Sequence, residues 1–401
     1  MTPFRSFAYR DFRFLWAGTL LWAAAVWMQR IAISWLVLEL TDSPLLVALA
    51  YSLPQAPYVI LGPFAGALAD RVNRKLMLVG AQAVTCAGTA VLAVMVATGT
   101  DPAWLVMLIA VLLGMALSVN FVSVQTIIYD VVGPKDAMNG LSLWFVGIRG
   151  VGAVGALTGG EVIEQVGIWP AFAASSGVYV LAGGVFTLMR YRSRISVEPG
   201  ASMMENLKTG LRYMLGSREL TSLVVLSTAA EAFGWGVVSL FAVFASDAVF
   251  DIGPRGLGIM TAAFAVGGVV GSAALASVRD VGRKGLVLTL AIVAAAVVLA
   301  GFSQSDWFAL SVVLLAVFGL TLAAYDTLTI LLIQEHAPEG MRGRAVGALQ
   351  VTSGVGPVGP LTMGALAGGI GVQTAVGIGA GVLLAAVGVV SAVVPKVRAM
   401  R

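Results

Sequence analysis

Runs of twenty or so apolar residues recur along almost the whole chain, and no other feature constrains its fold as tightly. A helix needs about 20 such residues to cross the hydrocarbon of a bilayer. The runs fall at approximately 14–39, 44–68, 76–98, 103–132, 139–162, 169–190, 219–247, 256–278, 285–303, 306–334, 343–370 and 373–395, so twelve spans are expected. Charged residues make up 11% of the 401 and hydrophobic ones 59%, whereas a soluble domain carries about 25% charged residues. Water cannot be the solvent for that much apolar surface, and an all-α membrane fold is expected. The 48 glycines fit it, because in membranes glycine lets helix backbones approach closely. Met1 to Leu40 is too long an apolar stretch for a cleavable signal and is expected to be the first span. Cys86 and His336 are the only residues of their types, which excludes an internal disulfide and a Cys/His metal cluster. No cofactor is expected.

The loops test the count. With a cytoplasmic N-terminus, 21 of the 24 basic residues fall on the inner side, and Arg255 alone lies in an outer loop. The outer loops are acidic instead, with Asp42, Asp101, Glu161, Glu164, Asp247, Asp251 and Asp306. Basic residues concentrate in cytoplasmic loops of membrane proteins, and a miscounted helix would break the alternation. Both termini are therefore expected in the cytoplasm, in a multi-pass protein of a bacterial inner membrane.

The longest polar stretch covers about residues 191–218. Ser202 and Glu205 have capping-box spacing, and Met204, Leu207, Leu211 and Met214 recur at helical spacing. A short amphipathic helix on the cytoplasmic surface is expected there, joining an N-terminal bundle of six helices (1–190) to a C-terminal one (219–401). The two parts repeat each other. Gly155-Ala-Leu-Thr-Gly-Gly160 matches Gly364-Ala-Leu-Ala-Gly-Gly369, at an offset of 209. Gly140, Gly147 and Gly152 match Gly347, Gly354 and Gly359, at an offset of 207. Arg71, Arg74 and Lys75 have counterparts in Arg279, Arg283 and Lys284. Repeats six helices apart share one topology, the plan of parallel halves related by an axis along the membrane normal.

The stretch Gly66-Ala-Leu-Ala-Asp70-Arg71-Val-Asn-Arg74-Lys75 resembles the signature loop of the major facilitator superfamily. Phe12-Arg13-Phe-Leu-Trp16, Leu40-Thr-Asp-Ser-Pro44 and Met341-Arg342-Gly343-Arg344-Ala345 are similar to a bacterial branch of siderophore and macrolide exporters. The resemblance implies two pseudo-symmetric six-helix bundles and secondary transport by alternating access. It implies a gating role for Gly66, Asp70, Arg71, Arg74 and Lys75, with Asp70 against the N-terminus of helix 11, where the helix dipole favours an anion. The other reading of the basic residues is that they only fix topology. Asn73 stands where glycine is usual, helix 4 has no intramembrane arginine, and Gly155-Ala156 replaces the Gly-Pro of antiporters.

Four ionisable residues fall well inside spans: Arg30, Arg149, Glu231 and Asp326. Each costs about 2.5–3.5 kcal/mol at a helix centre, so each must face protein or water. An acid in a partly dry cavity exchanges its proton nearer to neutral pH than one in water does. Glu231 and Asp326 are therefore candidates for proton coupling or for binding a cationic substrate, with Arg30 and Arg149 as partners or anion contacts. A permanent ion pair that only orients helices is the alternative. By family analogy helices 1, 4, 7 and 10 line the central cavity. Trp27, Gln29, Asn120, Gln125, Phe233, Trp235 and Tyr325 are its candidate lining, and such a mixture suits a medium-sized amphipathic ligand.

There is no phosphate-binding glycine loop ending in Lys-Ser/Thr, no nucleophile–base pair and no metal set, so an enzyme is not expected. The expected partners are a small-molecule substrate, protons and the bilayer, with no nucleic acid, and the chain is expected to be a monomer. The leading expectation is a secondary transporter exporting a drug, siderophore or similar molecule. An uptake carrier or facilitator, and a non-transporting sensor or scaffold on the same fold, are the alternatives.

Overall fold

The computed structural model describes residues 4–57, 72–193, 209, 211–277, 282–338 and 357–400. The described residues are helical nearly throughout. The helices are α1 (Arg10–Thr41), α2 (Pro44–Ser52), α3 (Arg74–Thr98), α4 (Ala103–Gly133), α5 (Lys135–Val166), α6 (Ile168–Thr187) and α7 (Arg218–Ala245). They continue with α8 (Gly253–Ser277), α9 (Lys284–Ser303), α10 (Phe308–His336), α11 (Val358–Ile370) and α12 (Val372–Val393). Among the described residues ten helices, all but α2 and α11, are long and apolar enough to cross a membrane. The expected spans 44–68 and 343–370 lie partly outside the described residues, and α2 and α11 are their described parts. Ser202, Met204, Glu205 and Leu207 of the expected surface helix also lie outside them. Residues 211–215 are helical, and Met214 is fully buried.

Local chemistry sets several boundaries. The Asn73 side chain accepts hydrogen bonds from the backbone N–H groups of Lys75 (3.0 Å) and Leu76 (3.4 Å), capping the start of α3. Ser217 caps α7 in the same way, through the N–H of Leu220 at 3.1 Å. Between α4 and α5 the chain reverses at Gly133, whose φ of 74° and ψ of 169° are left-handed and open to glycine. Pro134 follows and suits the first position of a helix.

The chain forms two compact units. One comprises Met1–Asp42, Leu53–Pro199 and Ile252–Ala262, the other Ser43–Ser52, Gly200–Asp251 and Ala263–Arg401. In the first, α1 lies along α5 and α6. Phe12, Leu15, Trp22, Val124, Ile127, Trp144, Tyr179 and Phe186 are buried together in its core. In the second, α9 packs on α10 and α12, and α11 on α2 and α12. Phe244 and Phe302 meet at 4.5 Å between ring centroids, and Trp235 meets Phe264 edge-on at 5.3 Å.

The contact between α8 and α10 goes down to backbone. A β-carbon on Gly319 would overlap the carbonyl oxygen of Phe264 and stand 3.1 Å from the Gly268 nitrogen. Gly388 of α12 has open space where its β-carbon would be. Gly319→Ala should therefore cost about 1–3 kcal/mol, as overpacking does. Gly388→Ala should be neutral or slightly stabilising, since alanine is the better helix former. Thermal unfolding of the two purified variants in detergent checks the contrast.

Candidate functional site: charged groups within the spans

Glu231 lies in α7 and Asp326 in α10, and both are half-buried. The two carboxylates are within electrostatic reach of each other. Tyr325, 2% exposed, feels both charges and donates its hydroxyl to Ser227 Oγ of α7 at 2.7 Å. A buried hydroxyl pair thus pins α10 to α7 beside the two acids. Phe233 and Trp235 are half-buried on the same helix as Glu231, and Trp235 is held by Phe264. The backbone around Glu231 is not plain α-helix: Ala230–Trp235 is a π-helical turn.

Arg30 belongs to the other compact unit. Its guanidinium lies over the Trp27 ring at 5.2 Å from the centroid, a cation–π contact, and it interacts electrostatically with Tyr179. Gln29 is 6% exposed and committed to its neighbours. Its Oε1 accepts from the Tyr179 hydroxyl at 2.7 Å and from Thr89 Oγ1 at 3.1 Å, joining α1 to α6 and α3. Asn120, 2% exposed, has both amide atoms buried without a hydrogen-bond partner among the described residues. Such groups ordinarily meet a water or a ligand. Gln125 and Arg149 are half-buried on α4 and α5. Glu231, Asp326 and Tyr325 are brought together, as are Arg30, Trp27 and Gln29.

Of the signature loop, Gly66, Asp70 and Arg71 lie outside the described residues, while Arg74 and Lys75 open α3. Arg74 is 7% exposed and pairs with Asp130, at the end of α4, at 2.6 Å. Tyr191 also donates its hydroxyl to that carboxylate. Burial and the adjacent Asp130 charge push the Tyr191 phenol above its usual range, so it stays a donor. Lys75 Nζ donates to the carbonyl oxygens of Thr187 (2.8 Å) and Met189 (2.5 Å), at the C-terminus of α6. A cation there meets unpaired carbonyls and the negative end of the helix dipole. The Arg74–Asp130 pairing has a counterpart in the second unit, where Lys284 at the start of α9 pairs with Glu335 near the end of α10 at 2.7 Å.

Sequence reasoning missed Asp130, Tyr191, Tyr179 and Ser227. Asp130 carried a signal: it is an acid at an inner helix end, the side where the basic residues concentrate. The partners of Gln29 and Tyr325 carried none, because Ser, Thr and Tyr are common in apolar helices. Removing the Asp130 charge weakens the pairing of a nearly buried guanidinium, which is costlier than removing both partners. Asp130→Asn should lower stability by roughly 2 kcal/mol or more. Arg74→Gln in the same background should recover part of the loss. A double-mutant cycle on thermal unfolding measures this coupling.

Residues 1–400 match the protein family described as Transmembrane secretion effector. Macrolide efflux protein A of Streptococcus pyogenes is 22% identical over 368 residues, 90% of this chain and 90% of that protein. Macrolide efflux protein A of Enterococcus faecalis is 20% identical over 295 residues, 72% of this chain and 90% of that one. Among solved structures, the nucleoside transporter NupG aligns with a TM-score of 0.78 at 13% identity, covering 96% of this chain and 98% of that one. An inward-facing, unoccupied bacterial homologue of the human lysosomal transporter Spinster gives 0.76 at 14% identity, covering 97% and 98%. At such identities these structures share the fold alone. The family match runs nearly end to end, and the chain belongs to the transmembrane secretion effector family of the major facilitator superfamily, as a multi-pass membrane transporter.

Proposed function

We propose that the protein is a proton-coupled exporter of small amphipathic molecules, working by alternating access. It has twelve spans in two pseudo-symmetric six-helix bundles, with both termini in the cytoplasm of a bacterial inner membrane. The observation that carries the reading is the pair of carboxylates on α7 and α10, Glu231 and Asp326, within electrostatic reach of each other beside a buried tyrosine. An intramembrane charge costs about 2.5–3.5 kcal/mol, and two like charges close together add repulsion. A proton taken up by the pair relieves both costs, and its release restores them. That difference is what a proton gradient needs in order to bias one conformation over another.

Substrate is expected near the midplane, where carriers of this plan bind it. In the first unit Arg30 over Trp27, with Asn120, Gln125 and Arg149, joins polar groups to an aromatic face, and in the second Phe233 and Trp235 add aromatic surface beside Glu231. That chemistry suits an amphipathic ligand of drug size. The two macrolide efflux proteins named above support a macrolide-like substrate and the outward direction. The described ends of the gating loop, Arg74 and Lys75, already hold α3 to α4 and α6.

Glu231→Gln should lower pH-gradient-driven efflux of a macrolide from proteoliposomes by roughly tenfold or more. Counterflow exchange without a gradient should persist. Gradient-driven flux equal to wild type would remove Glu231 from the mechanism. Loss of counterflow as well would make the residue a substrate contact. Wild-type flux indifferent to a proton uncoupler would favour a facilitator.

A further inference from the structure

The helix that carries Glu231 is interrupted where the acid sits. Ala230–Trp235 form the π-helical turn, Glu231 is its second residue, and ordinary α-helix resumes at Gly236. A π-turn spans five residues per hydrogen-bonded step where an α-turn spans four. It therefore absorbs one extra residue while the stretches on either side keep their faces. Its hydrogen bonding is poorer than that of an α-helix, so it persists where its surroundings hold it.

What holds it here is α11. Gly359 backs directly onto Ala232, the third residue of the turn, and a β-carbon at 359 would overlap the carbonyl oxygen and Cα of Ala232. Gly236, just past the turn, meets α11 in return. A β-carbon there would stand 3.2 Å from the Gly359 carbonyl carbon and 3.3 Å from the Pro360 nitrogen. Gly359 and Pro360 are both buried. At Gly359 backbone meets backbone, with no flexible side chain between to yield, while beside Gly236 the Met363 side chain also stands at 3.2 Å. On the α10 side, a β-carbon on Gly234 would be 3.2 Å from Leu322, one helical turn before Asp326. At the matching position of the sequence repeat, Gly152 meets the Trp27 ring, not a helix backbone.

We propose that Gly359 is a positioning residue for Glu231: its bare backbone seats α11 against the π-turn, and that seating sets where the carboxyl points. The inference rests on the reading of Glu231 as a proton-carrying group. It makes α11 the element that feels the proton. A shift of α11 along α7 re-aims the carboxyl, and a change of charge on the carboxyl loads the contact at Gly359. The titratable groups facing Glu231 are Asp326 and Tyr325, both on α10. The described residues of α11 and α12 contain none.

The test follows the carboxyl itself, without a substrate. In full-length protein reconstituted in liposomes, infrared spectra across a pH series contain a protonated-carboxyl stretching band. Its loss in Glu231→Gln assigns it. Gly359→Ala should displace the pH midpoint of that band by about one unit or more, a tenfold change in proton binding. Gly368→Ala lies on the same helix with open space around its β-carbon, and it should leave the midpoint in place. A midpoint unmoved in Gly359→Ala overturns the proposal. If Gly359→Ala does not fold, deletion of Ala232 removes the extra residue and keeps the flanking faces. It should displace the midpoint too, and an unmoved midpoint there is equally fatal. Glu231→Gln that still transports on a gradient defeats the proton-carrier reading whatever Gly359 does. Glu231→Gln that is uncoupled, with the Gly359→Ala midpoint unmoved, defeats only the positioning role. A spectrum in which Glu231→Gln removes no band defeats both.

Discussion

Close approach of bare helix backbones is the contact on which the rest of this molecule depends. Lipid tails are as apolar as leucine, so burying apolar side chains between helices gains little in a membrane. What remains is dense van der Waals packing, and that needs small residues at the crossings. Gly319 against Phe264 in one unit and Gly155 against Ala24 in the other are such crossings. The aromatic side chains then fill what the crossings leave open, as Phe244 and Phe302 do. A chain with 48 glycines would make weak helices in water. In lipid the same composition is what lets the helices meet.

The charges are subordinate to that packing, and they divide by depth. At the helix ends Arg74, Lys75 and Lys284 meet carboxylates or unpaired carbonyls, so each cation is matched where it stands. Such groups fasten neighbouring helices at one level. Deeper in, Glu231 and Asp326 carry the same sign within reach of each other. A buried pair of opposite charges is a fixed strut, whereas on the proposed reading these two acids take up and release a proton.

Much of the architecture was legible from hydropathy and charge alone. The apolar runs gave the helices of α1, α3 to α10 and α12 within a few residues, because a bilayer allows little freedom in length. Positions of ionisable residues inside spans were equally plain, since each one is a costly exception. The partners were not. Gln29 stands out beside Arg30, but that its Oε1 accepts from Tyr179 and Thr89 was not legible. Lys75 belongs to the expected gating loop, and that it caps α6 could not be read from the sequence. Side-chain hydrogen bonds between helices depend on rotation about each helix axis, and a run of apolar residues does not encode that angle. The π-turn at Glu231 was invisible for the same reason: Ala-Glu-Ala-Phe-Gly-Trp is compatible with either helix, and tertiary contact decides.

The reversal at Gly133 has a mechanical consequence. Where most neighbouring spans are joined by loops, α4 and α5 share a single left-handed residue, with a proline immediately after it. Proline fixes its own φ and restricts the residue before it. The joint therefore has almost no torsional slack. Tilting α4 drags the near end of α5 with it, and α5 meets α1 from Phe12 to Met28, so the three rods are coupled as one lever.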